Sequence, residues 1–82
     1  MEKRIGTVSI IITDRSRQAP MVNALLGEYG DIIIGRIGIP YPPKKIHVIS
    51  LIVHGTTDAI GAMTGKLGSL KDVQVKSALT KI

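Results

Sequence analysis

The chain has no cysteine, no phenylalanine and no tryptophan, and only two tyrosines among its 82 residues. Without cysteine there is no disulfide, no thiolate metal site and no cysteine nucleophile. Without an aromatic cluster there is no platform for stacking unpaired bases, which small RNA-binding sheets need. No apolar run approaches the roughly 18–20 residues of a transmembrane helix. The segment Ile5–Ile12, behind Met1–Arg4, is too interrupted by polar residues to serve as a secretory signal. The expectation is a cytoplasmic protein without a membrane partner.

Acidic residues are also scarce: six against eleven basic ones, for a net charge of +5. The bases are spread over Lys3–Arg4, Arg15–Arg17, Arg36, Lys44–Lys45, Lys66, Lys71, Lys76 and Lys81. No cluster exceeds two neighbours, which suits a solubility device better than a phosphate track. A basic nucleic-acid-binding or purely structural oligomer is kept as the alternative. The acids Glu2, Asp14, Glu28, Asp31, Asp58 and Asp72 fall at caps, loops or element edges, and no pair is spaced for shared proton work. No serine stands in a nucleophile elbow and no glycine-rich phosphate loop is present. No catalytic residue is assigned, and the chain is not expected to be an enzyme.

What is abundant is isoleucine, with fourteen copies, supported by six valines. Branched side chains pack well on a pleated surface, so this weight favours strands. Along residues 4–13, Gly6, Val8, Ile10 and Ile12 fall on one face, and Ile5, Thr7, Ser9 and Ile11 on the other. A polar turn over Thr13–Gln18 precedes a helix from about Arg17 to Tyr29, whose stripe is Val22, Leu25, Leu26 and Tyr29. Pro20 is tolerable there only in the first turn, and Gly30 supplies a left-handed stop. Asp31–Pro40 reads as a second strand weakened by Gly35 and Gly38. Tyr41–Lys45 is a loop, and Ile46–Val53 a third strand. A turn ending in the helix cap Thr57 leads to a second helix with the stripe Ile60, Met63, Leu67 and Leu70. Gly61 and Gly65 are read as small residues that let this helix pack closely. Val73, Val75, Ser77 and Leu79 alternate with polar residues as a fourth strand.

The order is β-α-β-β-α-β, an α+β ferredoxin-like sandwich in a single domain over residues 1–82, with a four-stranded antiparallel sheet. Right-handed crossovers place both helices on one face. If Val8, Ile10, Ile12, Ile49, Leu51, Val53, Val73 and Val75 face the helices, the other face receives Ile5, Ile11, Ile32, Ile34, Ile46, Val48 and Ile52. So many aliphatics exceed the apolar patch of an ordinary monomer. A homo-oligomer, dimer or tetramer, formed through the open sheet face is expected. His47 and His54 lie on opposite faces of one strand and cannot hold one metal together within a protomer. No metal site is assigned.

Several motifs resemble one group of small proteins. These are Glu28-Tyr29-Gly30-Asp31-Ile32-Ile33-Ile34-Gly35-Arg36-Ile37-Gly38-Ile39-Pro40-Tyr41, then Val48–Val53 with Gly55-Thr56-Thr57-Asp58, and Thr64–Gly68 with Val75–Ala78. The group is the family of iron-only hydrogenase system regulators, whose name implies a pathway more than a mechanism. That family is similar to ACT-like regulatory domains and to the nickel-sensing domain of nickel-responsive repressors. The turn Asp14-Arg15-Ser16-Arg17 resembles the turn with which ACT domains meet amino-acid ligands at a subunit interface, but has Arg17 where the pattern has glycine. Against the nickel-sensing domain, two histidine-ligand positions fall on Gly38 and Pro40, and the cysteine-ligand position on Ile46 or His47. A nickel site of that kind is largely erased. The DNA-binding module of those repressors is not expected either, since the first strand begins by about residue 4.

The resemblance implies a regulator that binds a small molecule between protomers, with Asp14, Arg15, Ser16 and Arg36 as ligand-binding residues. It further implies a partner protein that receives the signal. No cofactor is identified. Which way Arg36 faces depends on a strand register that a one-residue slip would reverse.

Overall fold

The computed structural model describes residues 2–13 and 17–81. Strand β1 covers Lys3–Thr13, helix α1 Ala19–Glu28, strand β2 Ile33–Tyr41, strand β3 Ile46–Thr56, helix α2 Thr57–Gly68 and strand β4 Val73–Thr80. Short 3-10 turns, Gly30–Ile32 and Pro42–Lys44, precede and follow β2. The strands lie in the order β2-β3-β1-β4, and every neighbouring pair is antiparallel. This is the β-α-β-β-α-β sandwich that the alternation of branched residues implies.

The core forms from one parity of each central strand. Val8, Ile10 and Ile12 of β1, Ile49, Leu51 and Val53 of β3, and Val73 of β4 are buried against Val22 and Leu26 of α1 and Ile60, Met63 and Leu67 of α2. Each such side chain contributes about 1.5–3 kcal/mol by leaving water. Two glycines make room at this layer. A Cβ on Gly6 would collide with the Ala78 carbonyl oxygen of β4, and one on Gly55 would lie 3.0 Å from Ile32 Cγ2.

The structure corrects several local expectations. Helix α1 begins at Ala19 rather than Arg17, with Pro20 in its first turn. Gly30 is not left-handed, because no described glycine has positive φ; it opens the 3-10 turn instead. That turn rotates Ile32 into the core instead of onto the open face. Strand β3 runs straight into α2, and the cap is Thr56, whose hydroxyl accepts from the Ala59 N–H at 3.1 Å. The strand continues three residues past the expected Val53, and with no intervening turn the cap stands one residue before the expected Thr57. Gly61 and Gly65 do not mediate helix packing, since a Cβ at either would meet nothing within 4 Å.

On the open face the register sets out transverse rows. They read Tyr41–Ile46–Thr13, Ile39–Val48–Ile11–Gln74, Ile37–Ser50–Ser9–Lys76, Gly35–Ile52–Thr7–Ala78 and His54–Ile5–Thr80. The apolar residues therefore gather towards β2 and β3, and the polar ones towards β4. Ile37, Ile39, Tyr41 and Ile52 are each about half exposed. An irregularity between Ile33 and Gly35 resets the alternation along β2. It places Ile37, Ile39 and Tyr41 on this face and turns Arg36, Gly38 and Pro40 to the helix side.

Candidate functional site

The helix side of β2 differs from that of every other strand. Opposite Leu51, Ile49 and His47 of β3 stand Arg36, Gly38 and Pro40. A cation, a residue with no side chain and a short ring cannot seal the sheet beneath α1. The result is a groove of about 310 Å³ lined by Ile12 of β1, Ala19 and Asn23 of α1, Arg36, Gly38, Ile39 and Pro40 of β2 and the start of β3. That volume is at the small end of the range for metabolite sites.

The groove is apolar below and cationic at its wall. Ile12 and Ile49 are nearly fully buried and give it a dry floor. The Arg36 guanidinium donates a hydrogen bond from Nη2 to Asn23 Oδ1 at 2.9 Å, which ties β2 to α1 across the opening. Asn23 accepts without neutralising, so the positive charge stays at the mouth. Among the described residues no carboxylate pairs with Arg36 and none lines the groove. His47 lies on the same wall, and His54 points to the opposite face, as strand parity requires.

Of the four residues assigned to ligand binding, Arg36 is placed in this groove, on the helix-covered side of the sheet. Asp14, Arg15 and Ser16 lie outside the described residues. The chain enters that segment from Thr13 at the end of β1 and leaves it shortly before Ala19, which itself lines the groove. Gly38, Pro40 and His47, the positions compared with a nickel site, all line the groove, and Ile46 falls on the open face. Among the described residues no three histidine, cysteine or acidic side chains gather as a metal set. Asn23 and the gap at Gly38 were not foreseen. The available signal was the run Arg36-x-Gly38-x-Pro40, which shares one strand face once the register is known.

Elsewhere, one polar cluster stands out. Lys66 Nζ donates to Glu28 Oε1 at 3.3 Å and lies 5.1 Å from the centre of the Tyr29 ring. The Tyr29 side chain first, and the Glu28 carboxylate second, hold the Lys66 ammonium above the ordinary lysine pKa. Both act by hydrogen bonding to the charged form, and the ammonium also makes a cation–π contact with the ring. The cluster is solvent-exposed and joins α1 to α2.

The sequence profile of the TM1266-like family, described as "Iron-only hydrogenase system regulator, putative", matches residues 4–77. A solved structure of uncharacterized protein TM1266 from Thermotoga maritima is 35% identical, with a TM-score of 0.92, over 98% of this chain and 100% of that one. The C-terminal domain of the MgtC protein from Mycobacterium tuberculosis shares the fold at a TM-score of 0.72 and 12% identity, over 95% of this chain and 88% of that one. A nitrogen regulatory PII-like protein, CPII from Thiomonas intermedia K12 in its apo form, shares it at 0.53 and 12% identity, over 94% and 91% of the two chains. No curated protein matches the chain. Among the described residues no helix is long and apolar enough to cross a membrane.

Proposed function

The chain belongs to the TM1266-like family of iron-only hydrogenase system regulators, and from that premise we propose that it works as a non-enzymatic, homo-oligomeric, ACT-like regulatory protein. In this reading a small ligand binds beside the β1–α1 turn at a subunit interface, and its presence is passed to a partner protein of the hydrogenase system. The observation that carries the reading is the open sheet face. Ile37, Ile39, Tyr41 and Ile52 stay about half exposed there, although an equally apolar set on the other face is sealed by two helices. Four strands about 4.8 Å apart and eight residues at about 3.3 Å rise give a footprint of roughly 500 Å². Pairing two such faces would bury on the order of 1,000 Å², the threshold of a specific interface. The β2 half would form its apolar centre, and Gln74 and Lys76 of β4 its polar rim.

The test is native mass spectrometry of untagged protein purified gently from an anaerobic host. A dimer or tetramer carrying a discrete extra mass supports the reading. A bare monomer overturns it and returns weight to the basic surface. That alternative predicts nucleic-acid binding that falls steeply with salt, and no binding at low salt would remove it.

A further inference from the structure

Gly38 has no structural reason to be glycine. Its φ is not positive, and a Cβ there would meet only Ile49 Cγ1, at 3.8 Å, an ordinary contact. A glycine inside a strand weakens it through lost packing and chain entropy, and often marks the close approach of a ligand. Here its effect is to keep the groove open between Arg36 and Pro40. The groove thus combines an unfilled apolar floor, a guanidinium steered by Asn23, and no acid among the described lining residues.

We propose that this groove binds a small aliphatic monocarboxylate, with the carboxylate on Arg36 and the hydrocarbon body over Ile12 and Ile49 in the space that Gly38 leaves. This rests on the ligand-binding part of the reading above and specifies its chemistry, with the ligand on the helix-covered side of the sheet rather than at the open-face interface. An arginine that keeps free N–H donors after one hydrogen bond presents a fork matched to a carboxylate. The floor at Ile12 and Ile49 is apolar, and beside Arg36 the polar side chains among the described lining residues are Asn23 and His47. An amino acid is therefore a poorer fit than its deaminated counterpart, because its α-ammonium would sit near Arg36 and no carboxylate among the described lining residues would receive it.

The experiment is a titration of the full-length, isotope-labelled protein with 4-methylpentanoate, followed by amide and methyl NMR. Leucine, 4-methylpentanamide and inorganic phosphate are the controls, and the oligomeric state is measured on the same samples. The expected result is saturable shifts at Ile12, Asn23 and Ile49, with leucine and the amide at least about tenfold weaker. Arg36→Gln should weaken binding by about tenfold or more through loss of the charge-assisted bonds. Gly38→Val should abolish it with Arg36 intact, by filling the floor. A Cβ at Gly38 makes only an ordinary contact, and dispersed spectra would confirm folding of both variants.

Absence of saturable shifts overturns the proposal, as does binding that survives in Arg36→Gln. Equal binding of phosphate would mean an adventitious anion site only. These failures would leave the oligomer reading to stand or fall on the mass measured in the same samples.

Discussion

At the scale of single residues, the glycines separate into those the fold requires and those it does not. A Cβ on Gly6 meets a backbone carbonyl of the neighbouring strand, which cannot swing aside. Gly6→Ala should therefore destabilise the protein by about 2–3 kcal/mol, by overpacking. At about 4–8 °C per kcal/mol for a domain of this size, a thermal melt will show the loss clearly. Gly61 and Gly65 lie in α2 with open space where a Cβ would go. Gly61→Ala and Gly65→Ala should each stabilise by about 0.5–1 kcal/mol, read as a rise in chemical denaturation midpoint. A fall instead would show that something packs on this helix face in the native assembly. Spacing alone could not separate these cases. The pattern Gly61-x-x-x-Gly65 has the appearance of a helix contact, but only the structure shows which face it occupies.

At the scale of elements, α2 is held at its start by Thr56 and at its flank by Lys66. Thr56→Ala removes the only side-chain bond to the first turn among the described residues and should cost about 1 kcal/mol. The Lys66 cluster makes an alkaline prediction. Its pKa is raised in the folded protein by Tyr29 and Glu28, so the native state binds the proton more tightly than the unfolded chain. That contribution is full below the ordinary lysine value of 10.5 and is lost as pH rises through the higher folded value. Melts between neutral pH and strongly alkaline solution should show a decline that Lys66→Met removes. The group faces solvent, so the effect should be small and should shrink with salt.

Most elements were legible from their composition and one apolar set each: Gly6, Val8, Ile10 and Ile12 share a parity in β1, Ile60, Met63 and Leu67 share a stripe in α2, and β3 is a branched run bounded by turn residues. Strand β2 was legible as a strand but not in its faces. The run Ile32-Ile33-Ile34 carries no alternation, and the irregularity before Gly35 reset the count. That ambiguity hid the groove. Its open space is left by an absent side chain at Gly38 and a short ring at Pro40, and a hydropathy pattern records what is present. Arg36 was singled out, but its partner Asn23 came from an exposed helix position that no periodicity marks.

At the scale of the molecule, the uneven open face makes its own prediction. If copies associate through the β2 half, the melting temperature should rise with protein concentration. Ile39→Glu should remove that dependence, while Lys76→Glu, at the β4 side, should leave most of it. Sedimentation of the same variants would check the assignment.

The sheet also ties the two ends of the chain together. β1 lies between β3 and β4, and Thr80 donates its hydroxyl hydrogen bond to the Ile5 carbonyl across 75 positions of sequence. The first strand made is thus completed by the last. At about 5–20 residues per second of synthesis, β1 waits on the order of 3–13 seconds for that neighbour. During that interval its isoleucines have no finished sheet to enter. Nascent chains of this protein should therefore resist proteolysis only after release of the final strand, and loss of a few residues from β4 should act as an all-or-none defect in yield.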